Sequence, residues 1–528
     1  MKRLGQYLIE ALESQGVRHV FGIPGVHNLE LYRGLARSSI RHISGRHEQG
    51  LGFMADGYAR VSGQPGVCFT ITGPGLTNIV TAMGQAYGDS IPLLVVSSQN
   101  RRGESGGFLH ELRDQRALAS GVAAASFAIQ KPAELPEALS EAFTRFGSER
   151  PRPIYIEIPL DVLAADASGL PLPVSVALSP KLAPAFVESA AARLRAARRV
   201  VILAGGGAVR SGAELRRVAE RLNAPVVMTA NARGLLPPGH PLAVPMSPML
   251  APVRDLVAAA DAVLAVGTEF GPTDYSIDLR ADFPNPAQLI RIDIDAEQLR
   301  RGAVPVVGLP GHAGTILESL DLGGPARTGD GAARAAAARS AGLDAIHKFN
   351  PSLRQHIDTL DQIRDAVPNA LLVGDSTQLV YAGNLGFNVG QPGSWFNSAT
   401  GYGTLGYALP ASTGAGLAAP QRPVICLVGD GGLQFSLGEF AALRDVDAWT
   451  AVVIWNNQGY GEIRTSMLAV GIEPEGVDVR PPDFAHIAAA YNYPYRKITS
   501  RDALGTALQE FGRRRQVVVL EIVADEFK

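Results

Sequence analysis

The sequence predicts an α/β protein built from three doubly wound parallel-sheet domains. Three observations carry that prediction. Short apolar runs of strand length alternate with longer stretches of helical pattern along the chain. Several of these runs end in a glycine turn that opens a helix, the connection a parallel sheet needs. Segments rich in Pro, Ala, Ser and Gly interrupt the alternation, and a chain of 528 residues suits about three or four domains.

The elements follow in order. Leu4, Leu8 and Leu12 share one helical face, and Glu10 and Glu13 interrupt the apolar run. This predicts an amphipathic first helix in place of a signal peptide. Strands are expected at 67–72, 93–97 and 154–158, completing a first domain over 1–165. The stretch ADASGLPLPVSVALSP (165–180) reads as a linker. A second domain, 185–325, opens with strand 199–204, turns at Gly205-Gly206-Gly207 and continues into helix 211–222. Further strands are expected at 262–266 and 289–294. The triple-glycine turn could hold a dinucleotide phosphate, although a tight βα turn is the plainer reading. The Ala/Arg/Gly-rich stretch 325–342 reads as a linker, flexible or partly helical. A third domain spans 355–528 and includes strand 371–374. No internal repeat is visible.

Composition bounds the function classes. Apolar residues make up 46% and charged residues 19%, as in an ordinary globular enzyme. A net charge of −2 favours neither nucleic acid nor anionic membranes. No apolar stretch has membrane-spanning length. Cys68 and Cys426 lie in apolar strand patterns without metal-site spacing, so core thiols and a cytoplasmic location are expected.

The most informative stretch runs from Gly429-Asp430-Gly431-Gly432 to Asn456-Asn457, with Asp430 and Asn457 27 residues apart. It reads as strand, glycine turn, helix, strand and polar turn. Such a βαβ unit brings the C-terminal ends of two parallel strands together, where open α/β sheets bind ligands. A carboxylate and an amide oxygen placed there suit a hard divalent cation such as Mg2+. The glycines let backbone N–H groups approach phosphate oxygens. Alone, the four-residue motif would be an ordinary tight turn; the downstream asparagines make it a metal–diphosphate clamp.

A second motif lies far upstream. It runs Arg46-His47-Glu48-Gln49-Gly50, then Ala55-Asp56-Gly57-Tyr58-Ala59-Arg60, then Gly73-Pro74-Gly75-Leu76-Thr77-Asn78. By itself Glu48 would be a solvated carboxylate favoured by a helix N-terminus. Together the two motifs resemble the thiamine diphosphate signature of the 2-oxo acid decarboxylase and acetolactate synthase superfamily, over nearly the whole chain. The resemblance implies a pyrimidine-binding first domain, a central Rossmann-like domain and a diphosphate-binding third domain.

It also implies roles. Glu48 matches the glutamate that hydrogen-bonds N1′ of the cofactor's pyrimidine and makes its 4′ nitrogen a base. Leu405, within Gly401-Tyr402-Gly403-Thr404-Leu405-Gly406-Tyr407, matches the apolar fulcrum that bends the cofactor. The Gly403 carbonyl matches the acceptor for the 4′-amino group. Asp430, the Asn457 side chain and the Gly459 carbonyl match the Mg2+ ligands. Gly431 and Gly432 would face the diphosphate, as would Thr377 and Gln378 in the turn Asp375-Ser376-Thr377-Gln378. The implied cofactors are thiamine diphosphate and Mg2+. The implied assembly is a homodimer or homotetramer with active sites between subunits.

Two outcomes remain open after CO2 loss from a 2-oxo acid. Protonation gives an aldehyde, and attack on a second 2-oxo acid gives an acetohydroxy acid. The loop Leu109-His110-Glu111 places His110 where acetolactate synthases carry a glutamine, and Thr268–Asp274, 268–274, replaces their flavin-contacting run, so FAD is not expected. His110 and His27 are candidate substrate and proton-relay residues, although a structural loop histidine is the plain alternative for each. Val26 stands where family members often carry a polar residue. Glu462 stands where related decarboxylases hold a small or apolar residue facing the substrate. A carboxylate there suits a cationic tail, a guanidinium above all; a solvated glutamate or one paired with Arg464 is the alternative. These features resemble the branch that decarboxylates 5-guanidino-2-oxopentanoate (2-ketoarginine). A carboligase, and a non-catalytic regulatory homologue that kept the fold, are the rival readings.

Overall fold

A computed structural model of the chain describes residues 1–103, 106–176, 182–275, 286 and 288–527. It contains three six-stranded sheets, each parallel throughout. The first is built from β1 (His19–Gly22), β2 (Arg41–Ser44), β3 (Gly66–Thr70), β4 (Leu93–Gln99), β5 (Ala125–Ala128) and β6 (Ile154–Pro159) in the order β2-β1-β3-β4-β6-β5. The second uses β7 (Val200–Ala204), β8 (Val226–Met228), β9 (Ala243–Val244), β10 (Ala262–Val266), β11 (Leu289–Asp293) and β12 (Val307–Pro310) in the order β12-β11-β10-β7-β8-β9. The third uses β13 (Leu371–Gly374), β14 (Trp395–Asn397), β15 (Val424–Gly429), β16 (Thr450–Asn456), β17 (Tyr495–Ile498) and β18 (Val518–Val523) in the order β14-β13-β15-β16-β18-β17.

The first and third sheets therefore share one strand order, counted from each domain's own first strand. This repeat is invisible in the sequence because parallel-strand cores need apolar residues of suitable size, not matching identities. β3, β7, β10 and β16 are buried along their whole length, as strands covered on both faces must be.

The stretch 325–342 departs from a simple linker. A helix, Gly331–Phe349, takes up most of it and packs Ala335, Ala338 and Ile346 against the central domain. Alanine's strong helix propensity and small volume allow both. Residues 177–180 of the first predicted linker lie outside the described residues. At the triple-glycine turn, the Gly207 N–H donates to the Gly267 carbonyl at 3.0 Å. A methyl at Gly205 would meet that oxygen at 2.3 Å. Close backbone packing between two strand ends thus accounts for these glycines, as the tight-turn reading expects. A cavity of about 520 Å³ opens beside this turn where the three domains meet, lined in part by Arg60, Asp89, Asn231 and Asp293.

The first and third domains pack through two helices, Glu48–Ser62 and Ala408–Ala418. A methyl at Gly57 would meet the Ala411 carbonyl oxygen at 2.1 Å, and one at Gly414 would meet that of Met54 at 1.8 Å. Small residues on both helices therefore let the backbones touch. Asp56, fully buried, accepts from Arg60 and from the Tyr407 hydroxyl across this contact. Among the described residues no helix is long and apolar enough to cross a membrane.

Candidate active site

Asp430 and Asn457 come together because β15 and β16 are parallel neighbours with Gly429 opposite Trp455. Asp430 and Asn457, distant in sequence, are thereby adjacent at the C-terminal end of the sheet. Asp430 opens a short helix, Asp430–Gln434, directly after the strand. Beyond Asn457, Gln458 and Gly459 adopt φ of +61° and +143° and reverse the chain. The Tyr460 N–H donates to the Val477 carbonyl at 2.9 Å and fixes that reversal.

The resulting donor set is all oxygen. The Asn457 amide donates to Gln378 Oε1 at 3.2 Å, and its other end faces Asp430 Oδ1 at 3.1 Å and the Gly459 carbonyl at 2.8 Å. In that orientation Asp430 Oδ1, the Asn457 side-chain oxygen and the Gly459 carbonyl face one another. With a cation between them the three oxygens become ligands. Asp430 is 1% exposed, and its Oδ2 has no hydrogen-bond partner among the described residues. Burial pushes its carboxyl above the usual carboxylate range, against nearby backbone N–H groups of Asn457 and Gly459. A buried carboxylate with an orphan oxygen calls for a proton or a positive ion. No cluster of three His, Cys, Asp or Glu occurs among the described residues. One carboxylate with two neutral oxygens fits a Mg2+ ion that takes its remaining ligands from phosphate and water.

The turns after β13 and β15 pack against each other. A methyl at Gly429 would lie 3.2 Å from Thr377 Oγ1, and one at Gly432 would lie 3.0 Å from Asp375 Oδ1. Gln378 is turned differently. Its Oε1 accepts from Trp455 Nε1 at 2.9 Å and from Asn457, so its side-chain oxygen orients the Asn457 amide. Asp375, quoted in the sequence only as part of a turn, is fully buried. It accepts from the Ser376 N–H at 2.9 Å and the Ala408 N–H at 3.0 Å. Burial pushes its carboxyl up to about 6. It ties the end of β13 to the start of the Ala408 helix and so helps set Leu405. Nothing in a lone Asp-Ser-Thr turn announces that role.

Leu405 is half-buried, with Cδ2 3.8 Å from the space a Gly432 methyl would take. It thus stands over the Gly431-Gly432 turn. Gly403 adopts φ +81°, a conformation glycine enters without strain. The segment is held from the first domain. Gln85 Oε1 accepts from the Thr404 N–H at 3.3 Å and its hydroxyl at 2.8 Å, and Asp89 Oδ1 accepts from the Thr400 hydroxyl at 3.0 Å.

The first-domain half gathers around the Gly73-Pro74-Gly75 turn. Glu48 is the first residue of its helix, and its Oε2 accepts from Asn78 Nδ2 at 2.9 Å. Its Oε1 lies 3.6 Å from the space a Gly75 methyl would take. A methyl at Gly73 would meet the His110 carbonyl oxygen at 2.5 Å. His110 itself has φ +64°, and its carbonyl accepts from the Thr72 hydroxyl at 3.2 Å. Gln115, buried and unremarked in the sequence, accepts from the Thr72 hydroxyl and the Gly73 N–H, both at 2.9 Å. The rings of His27 and His110 meet edge to face, 4.8 Å apart. Burial, and then the His110 charge, lower the His27 pKa. Glu111 folds its loop by accepting from the Gly106, Gly107 and Phe108 N–H groups.

Glu48, His27 and His110 are thus neighbours, and so are Asp430, Asn457, Gly459, Thr377, Gln378 and Leu405. The two groups sit on separate domains, and Glu48 bonds within its own. Glu462 is exposed in the first turn of helix Gly461–Ala469, which buries no residue. Arg464 pairs with Asp478, so the expected alternative partner of Glu462 is engaged elsewhere. Its charge reaches the Tyr381 hydroxyl and, behind burial, helps raise its pKa.

Three family models match the chain in succession. They are the thiamine pyrophosphate enzyme N-terminal TPP binding domain over residues 2–118, the central domain over 187–320 and the C-terminal TPP binding domain over 374–522. The chain is 46% identical to the "Probable 2-ketoarginine decarboxylase AruI" of Pseudomonas aeruginosa, over 98% of this chain and 93% of that protein. It is 32% identical to the acetolactate synthase isozyme 1 large subunit of Escherichia coli, over 86% and 82% of the two chains. It is 31% identical to a "Probable acetolactate synthase large subunit" of Methanocaldococcus jannaschii, over 98% and 91%. With its clamp, its glutamate and all three domains in this order, the chain belongs to the thiamine pyrophosphate (thiamine diphosphate) enzyme family.

Proposed function

We propose that the protein is a Mg2+-dependent 2-oxo acid decarboxylase acting on 5-guanidino-2-oxopentanoate and releasing the aldehyde and CO2. One observation carries the substrate: Glu462, three residues beyond Gly459, is a carboxylate with no paired cation among the described residues. A guanidinium tail would meet it with paired, charge-assisted hydrogen bonds. The end-to-end likeness to a protein named as a 2-ketoarginine decarboxylase supports the same reading.

When bound, thiamine diphosphate would supply a carbon nucleophile and a cationic thiazolium ring able to accept the electron pair left by departing CO2. In this reading Asp430, Asn457 and the Gly459 carbonyl hold Mg2+, while Thr377, Gly431 and Gly432 face the diphosphate. Leu405 and the Gly403 carbonyl support the middle of the cofactor. Glu48 holds a proton at the pyrimidine nitrogen, with Oε2 fixed by Asn78 and Oε1 left to share it. The His27–His110 pair, in edge-to-face contact, moves the proton that the product needs. Two protomers pair so that Glu48 of one completes the clamp of its partner, in a homodimer or a dimer of dimers. With both cysteines buried and unpaired, the cytoplasm is the location we propose.

A panel of 2-oxo acids, supplied with thiamine diphosphate and Mg2+, tests the reading. Aldehyde from the guanidino acid at the highest kcat/KM is the expected result. Acetolactate from pyruvate alone, as the likeness to acetolactate synthases allows, would replace it with a carboligase. No turnover of any 2-oxo acid would point to a regulatory homologue.

A further inference from the structure

Glu439 lies in the third domain, nine residues past Asp430, yet its side chain works on the first. Its Oε1 accepts from the Arg46 N–H at 2.9 Å and from the His47 N–H at 3.0 Å. These are the two residues directly before Glu48. The carboxyl is 2% exposed, and its other oxygen, Oε2, has no partner among the described residues. Arg46 is held a second time by its ion pair with Asp445 at 2.6 Å. A methyl at Gly50 would meet Glu439 Oε1 at 2.4 Å, so the glycine that closes the Arg46–Gly50 motif leaves the space this carboxylate fills.

A carboxylate buried at this cost is excessive for a domain tie, because two backbone N–H groups at a helix entry can be satisfied by water. What it does specifically is fix the exit angle of the turn that delivers Glu48. We propose that Glu439 is a positioning residue: it holds the 46–47 turn so that Glu48 meets the cofactor at one fixed angle. Glu439 touches neither substrate nor cofactor and acts only through Glu48. The inference rests on the role of Glu48 proposed above.

Amide hydrogen exchange on the cofactor-free protein reads the contact directly. Glu439→Ala should speed exchange at Arg46 and His47, while Glu439→Gln, which keeps an acceptor oxygen, should retain most of the protection. Gly50→Ala, which displaces the carboxylate without removing it, should mimic Glu439→Ala. In the loaded enzyme Glu439→Ala should lower kcat about 10–100-fold with little change in KM, the size of effect small misplacements produce. A double-mutant cycle decides whether the effect runs through Glu48. In a Glu48→Gln background, Glu439→Ala should cause little further loss. Multiplying losses, or unchanged exchange at 46 and 47, would overturn the positioning role and leave Glu48 as it stands. Full activity in Glu48→Gln alone would overturn both readings.

Discussion

Gln85, in the first domain, grips Thr404, the residue before Leu405 in the third: its side-chain oxygen accepts both the Thr404 N–H and the Thr404 hydroxyl. The same helix, Pro74–Asp89, carries Asn78, which holds Glu48. One helix therefore supports Glu48 at one end and the Leu405 segment at the other.

Gln85→Leu should leave the buried Thr404 hydroxyl and N–H without their acceptor. A loss of about 1–3 kcal/mol of stability is expected for such an orphaned pair. Thermal unfolding with and without thiamine diphosphate should show a smaller stabilisation by cofactor than in the parent protein.

Glu48→Gln keeps the shape and the Asn78 contact but cannot exchange a proton at its oxygen. Turnover should fall by roughly 10²–10⁴-fold, the usual weight of proton-transfer catalysis. Cofactor binding, followed by protein fluorescence, should change far less. Near-normal turnover would remove Glu48 from the mechanism.

Metal removal and pH probe the clamp together. Chelation should release the cofactor's diphosphate, and Asp430→Asn should weaken Mg2+ binding by at least about tenfold through loss of its charge. Asp430 and Asp375 both have pKa values raised by burial, Asp375 to about 6. A raised carboxyl binds more protons in the folded state, so its stabilising contribution is complete below its unfolded value. It is lost as pH rises through the folded value. The cofactor-free protein should thus lose stability from Asp375 as pH climbs toward about 6, with Asp430 acting in the same direction. Asp375→Asn should flatten that slope, measured by denaturant unfolding across pH.

Glu462→Gln should separate substrates by charge. For the guanidino acid kcat/KM should fall about 10–100-fold, matching loss of a charge-assisted pair. An apolar 2-oxo acid should be little affected. Equal losses on both would end the tail-recognition reading.

Much of this architecture was legible from residues alone. The strand at 262–266 and that at 371–374 lie where the apolar runs predicted, because a strand buried on both faces leaves an uninterrupted pattern. Asp430 and Asn457 were readable as partners because a βαβ unit of that length returns a parallel strand beside the first. Gln85, Asp375, Gln115 and Glu439 were not legible. Each acts on a distant backbone group, and a single polar residue in a helix or turn carries no periodic signal of such a contact. Nor was the bond of Gln378 Oε1 to Trp455 and Asn457 legible, for the same reason.

By itself the sequence determined the three α/β domains and the thiamine diphosphate family, since these depend on local patterns and spacing. The tertiary structure alone decided that His27 meets His110, that Gln85 grips Thr404 and that Glu439 holds the 46–47 turn. Those facts arise from packing between elements hundreds of residues apart, where geometry is set by which surfaces fit and not by any local preference of the chain.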